Sequence, residues 1–72
     1  MPYAVFLFAT THDTVKAERL ASAAGITAEV IPQPPGDKGR CGVALRVPRS
    51  QKESLAHLLI AGGLPDFEVE ER

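Results

Sequence analysis

One cysteine, Cys41, and two histidines, His12 and His57, are the side chains in this sequence best suited to chemistry at neutral pH. A cysteine acts through its thiolate, as a nucleophile or a metal ligand, and positive charge or a helix N-terminus beside it favours that form. A single cysteine closes no intramolecular disulfide, so the core must hold without covalent help and a reducing cytoplasm is the expected location. No CxxC pair and no HxxxH occur, so neither an intrachain zinc site nor a cofactor is expected. Serine, histidine and aspartate are available, but no nucleophile elbow presents them. Gly36-Asp37-Lys38-Gly39 lacks the GxxxxGK[ST] pattern, and no helix follows it, so it is not read as a phosphate loop. His57 falls off the apolar stripe of its helix and is expected at the surface.

The elements that must position Cys41 are packed into 72 residues with 44% hydrophobic content. A chain of that size buries only about 60% of its unfolded surface, which leaves room for one thin core and a single domain over residues 1–72. Any chemistry must sit on the rim of that core. Eight Lys+Arg against nine Asp+Glu, for a formal charge of -1, lack the footprint of a nucleic-acid or anionic-membrane binder. The longest apolar run, residues 3–9, has no basic segment before it and is far shorter than the ~20 residues of a spanning helix. It reads as a buried strand.

That strand runs from Tyr3 to Thr10 and enters a helix directly. Thr10 or Thr11 can cap it, and Asp13 puts a carboxylate in the first turn, where the helix dipole favours it. Ala17, Leu20, Ala21 and Ala24 recur at helical spacing, and Gly25 is the expected stop. Thr27–Ile31 is a short second strand that breaks at Pro32, and residues 33–40 are a loop. Cys41–Val47 alternates Val43, Leu45 and Val47 against Gly42, Ala44 and Arg46, the period of a half-buried strand that Pro48 ends. Ser50-Gln51-Lys52-Glu53 reads as a capping box opening a second helix with the stripe Leu55, Leu58, Leu59 and Gly62. Gly62-Gly63 and Pro65 stop it. Phe67 and Val69, alternating with Glu68 and Glu70, form a last strand with one wet face, and the Glu68, Glu70, Glu71 run is read as a solvated edge.

The order βαββαβ folds most economically as an α+β, ferredoxin-like two-layer sandwich, a four-stranded antiparallel sheet with both helices on one face. The third strand then lies antiparallel beside the first, which brings Cys41 to Thr10-Thr11-His12 at the start of the first helix. Cys41 shares its side of the strand with Val43, Leu45 and Val47, the side assigned to the helices. Unpaired amides and the dipole at the helix N-terminus stabilise a thiolate, and Lys38, Arg40 and His12 add positive charge. A lone cysteine is often simply a small buried hydrophobe. Against that stand the glycine- and proline-rich loop before Cys41, which offers access, and Gly42 after it, which lets another molecule approach the main chain.

The segments FATTHDTVKAERLASAAGI, VIPQPP and CGVALRV together resemble the small bacterial family DUF3343 of selenium/sulfur carrier-like proteins. The resemblance covers residues 3–47 well and the remainder in its element order. It implies that Cys41 is the carrier nucleophile, holding sulfur or selenium as a persulfide or selenosulfide, with Gly42 as its motif partner and Thr11 and His12 in the adjoining turn. It also implies a donor of the cysteine desulfurase or selenocysteine lyase type, an acceptor enzyme, and a role as shuttle rather than enzyme. Where the family tends to have arginine after the second proline and serines before Cys-Gly, this chain has Pro35 and Asp37-Lys38-Gly39-Arg40. Lys38 and Arg40 keep the basic character. One thiol suits such a task, since a second would discharge the stored atom as a disulfide.

The first strand also supports a different reading. It is apolar on both faces, with Tyr3, Val5 and Leu7 on one and Ala4, Phe6 and Phe8 on the other. If helices cover only one face, the second calls for a cover, such as a homodimer through the sheet or a larger partner. The chain would then be an interaction module with a structural cysteine.

Overall fold

The computed structural model describes residues 2–32 and 42–72. Strand β1 (Tyr3–Phe8) leads to helix α1 (Thr11–Ala23), followed by β2 (Glu29–Pro32), β3 (Val43–Pro48), a 3-10 turn (Arg49–Gln51), α2 (Lys52–Ala61) and β4 (Phe67–Glu71). The sheet has the order β2-β3-β1-β4 with every neighbouring pair antiparallel. This is the ferredoxin-like α+β arrangement expected from the element order. The expected loop over residues 33–40 lies outside the described residues.

Side-chain parity sorts the strands into two faces. Ala4, Phe6 and Phe8 of β1 and Leu45 and Val47 of β3 pack with Ala17 and Ala21 of α1 and Leu55 and Leu59 of α2, so both helices cover one face. Each large member of this core contributes about 1.5–3 kcal/mol by leaving water. Phe67 of β4 closes the side, its ring centroid 5.3 Å from that of Phe6 and 6.1 Å from that of Phe8. The expected stripe on α1 differs at one end: Ala24 is exposed, and Thr14 is fully buried in its place. Burial of that hydroxyl is tolerated because it donates to the carbonyl oxygen of Thr10 at 3.2 Å.

The opposite face is not an open apolar patch. Val5, Leu7 and Ala44 are 0%, 3% and 0% exposed there, with Ile31 packed against them. Val5 is paired with Arg46 and Glu70, and Leu7 with Glu68, so long charged side chains stand around the apolar centre. Arg46 bonds Glu29 across the β3–β2 ladder, and its guanidinium carbon lies 4.5 Å from the Tyr3 ring centroid. Among the described residues, Tyr3 is the large apolar side chain left exposed on this face. The need for a cover, expected from the strand's two apolar faces, is therefore largely met within the chain.

Two element starts differ from the sequence pattern. Ser50 does not cap α2: the chain leaves Pro48 through the 3-10 turn, and the N-cap position falls to Gln51, with no side-chain cap bond. A capping serine needs extended backbone, whereas Ser50 is already inside a turn of helix. Gln51 instead accepts the backbone amide of Thr27 at 3.1 Å through its side-chain oxygen, tying α2 to the segment before β2. Pro48, expected to stop β3, is its last residue and pairs with Tyr3. The β2–β3 ladder ends at Arg46, so no bond on that side is lost to the missing N–H. Pro32 is likewise tolerated because β2 is an edge strand.

At the far end of β4, Tyr3 and Arg72 exchange two backbone bonds, of 3.0 and 2.9 Å. Beside them the Glu71 carboxylate accepts from Lys52 Nζ at 2.9 Å and lies 3.5 Å from Arg49 Nε. The Lys52 hydrogen bond, then the Arg49 guanidinium, hold its pKa below the ordinary 4.5.

Candidate functional site

The antiparallel ladders place the end of β1, the start of β3, the end of β2 and the start of β4 at one end of the sheet. α1 begins at that same end, two residues after β1 stops. Thr10 resolves the choice of cap: its backbone is extended, with φ -137 and ψ 156, and its hydroxyl oxygen accepts the Asp13 amide at 3.1 Å. Thr11 and His12 follow as the first two residues of α1, and both are exposed. Asp13, also in the first turn, complements the positive end of the dipole.

Gly42 precedes β3 directly, at the same end of the sheet as Thr11 and His12. Its φ is +77, in the left-handed region that side chains rarely adopt, and a Cβ built there meets nothing within 4 Å. The glycine is therefore required by the backbone, and the space beside it is open. Of the residues singled out from the sequence, the structure brings Thr11, His12 and Gly42 to one end of the fold. Cys41, Arg40 and Lys38 lie outside the described residues, with Cys41 one peptide bond from Gly42. His57, expected at the surface, is exposed on α2.

The outer face of α1 carries more than the sequence reading drew from it. His12, Val15, Lys16 and Arg19 line one shallow depression running down from the helix start. The spacing i, i+3, i+4, i+7 from His12 marks these residues as one stripe. Among the described residues no group of three or more His, Cys, Asp or Glu side chains is placed to hold a metal ion, and no helix is long and apolar enough to cross a membrane.

Comparison with known protein families finds one match that spans nearly the whole chain. Residues 3–69 match the family described as "Putative Se/S carrier protein-like". No curated protein and no solved structure matches. The matched span contains every site residue read from the sequence, Cys41 included.

Proposed function

The chain belongs to the selenium/sulfur carrier-like family, and from that membership we propose that it shuttles a sulfur or selenium atom on Cys41 between a donor protein and an acceptor enzyme. The observation that carries this reading is the family match over residues 3–69, which spans the single cysteine of the sequence. The step balances without an external oxidant. The Cys41 thiolate attacks the outer sulfur of a donor persulfide, the donor's S–S bond breaks with its electron pair going to the donor thiolate, and a persulfide forms on Cys41. An acceptor's nucleophile then takes the outer atom and releases the Cys41 thiolate. The protein is a cosubstrate in this scheme, not an enzyme that turns over alone, and its free thiol suits a cytoplasmic setting.

In the same proposal, Thr11, His12 and the start of α1 stabilise the thiolate, while Gly42 keeps the approach to Cys41 open and Arg40 and Lys38 supply positive charge. Two structural findings support it. The capped N-terminus of α1 and Gly42 occupy the same end of the sheet, and the position beside Gly42 has open space.

Incubation with a cysteine desulfurase and cysteine, or a selenocysteine lyase and selenocysteine, followed by intact-mass measurement, tests the reading. An adduct of about 32 or about 80 Da is expected, lost in Cys41→Ser and reversed by thiol reductant. A wild-type chain that gains neither mass, or a Cys41→Ser chain that gains the same one, would overturn the assignment.

A further inference from the structure

The described residues include six lysines and arginines, and four of them, Arg46, Arg49, Lys52 and Arg72, are engaged by a carboxylate of the chain itself. Lys16 and Arg19 are the two that make no ion pair, and they lie one turn apart on the outer face of α1. Between them and His12 stands Val15, a β-branched aliphatic residue that is 38% exposed. The acids of the same helix, Asp13 and Glu18, are half-buried, flank the stripe on either side and form no ion pair with Lys16 or Arg19. Along β4, by contrast, Glu70 and Glu71 are held in ion pairs with Arg72, Arg49 and Lys52.

We propose that the outer face of α1, through His12, Val15, Lys16 and Arg19, docks an acidic protein surface that sets carboxylates around an exposed aliphatic side chain. Charge complementarity selects this occupant. In a chain of net charge -1, the described residues offer here two cations without an ion pair and one valine, a surface that falls short of the multi-lysine clusters and broad apolar faces that hold anionic membranes. It falls equally short of the many phosphate contacts that hold nucleic acid. The unpaired cations of α1 attract an acidic partner to this face. Seated there, it stands beside the end of the sheet where β3 begins. The docking surface is independent of what Cys41 carries.

The test is an NMR titration of the full chain as Cys41→Ser, so that the outcome does not depend on the carrier reading. The probe is a synthetic amphipathic peptide of glutamates flanking leucines at helical spacing. Saturable shifts are expected at the amides of His12, Val15, Lys16 and Arg19, with affinity falling as salt is added. Lys16→Glu with Arg19→Glu should weaken binding about tenfold or more, while Arg49→Glu with Lys52→Glu, which changes net charge equally, should weaken it far less. Equal losses in the two double variants, shifts centred away from α1, or no saturable shift would overturn the proposal. So would tighter binding to phosphatidylserine vesicles or single-stranded DNA than to the peptide.

Discussion

The hydroxyl oxygen of Thr10 accepts the backbone amide of Asp13 at 3.1 Å, and this bond fixes where the sheet ends and α1 begins. The carbonyl of the same residue receives both the amide and the hydroxyl of Thr14, each at 3.2 Å. Thr10 thus gathers three donors of the first helical turn. Thr10→Ala removes the capping acceptor and is expected to cost about 1 kcal/mol in urea denaturation, while Thr10→Ser, which keeps the oxygen, should stay close to the wild type. A loss as large in the serine variant would show that the methyl group, not the cap, matters there.

Gly42 yields a second expectation at the same end. Its φ of +77 disfavours any side chain, and the space around a Cβ is empty, so Gly42→Ala should destabilise by roughly 1 kcal/mol through the backbone alone. Gly42→Asn, which tolerates the left-handed region better, should lose less. Thermal unfolding of the pair distinguishes this from a steric effect, under which the larger asparagine would lose more.

Leu7 is buried on the face without helices, at 3% exposure. Leu7→Ala should therefore cost roughly 2–5 kcal/mol, the range for buried leucines elsewhere. Because that burial lies within one chain, the cost should be the same at low and high protein concentration. A loss that shrinks on concentrating the protein would instead reveal a second copy covering the face.

The fold was legible where period and punctuation agree. Phe6 and Phe8 against Val5 and Leu7, and Leu45 and Val47 against Ala44, sort correctly to the two faces by alternation alone, and Gly25 and Gly62-Gly63 mark both helix stops. Ser50 shows the limit of pattern: a capping box needs an extended serine, and the backbone leaving Pro48 is committed to a 3-10 turn before Ser50 is reached. The buried centre around Leu7 was misread because alternation reports the side of a strand, not what the flanking strands lay over it. At the candidate site, strand order and the Thr10-Thr11-His12 turn were enough to bring Gly42 to the start of α1. The stripe of Lys16 and Arg19 went unread because its distinguishing property is the lack of an ionic partner, which depends on where every carboxylate of the fold ends up.

Glu71 makes acid sensitivity predictable. Its pKa in the folded chain lies below the ordinary 4.5, because Lys52 and then Arg49 favour the carboxylate. The stabilisation is thus complete above about the unfolded value and is lost as pH falls through the lowered one. Glu71→Gln should be less stable than the wild type at neutral pH, and the gap should close as the solution is acidified or salt is added. Chemical denaturation of both chains across the acid range measures that convergence.

The bonded pair of Tyr3 and Arg72 has a practical corollary for anyone handling the molecule. Tyr3 and Arg72 lie together at the foot of the sheet, roughly 17 Å along β1 from Phe8, which is two residues before the cap at Thr10. A tag, a fluorophore or a tether to a surface can be attached at either end and still hang from the foot. The end of the sheet bearing Thr11, His12 and Gly42 then faces away from the handle.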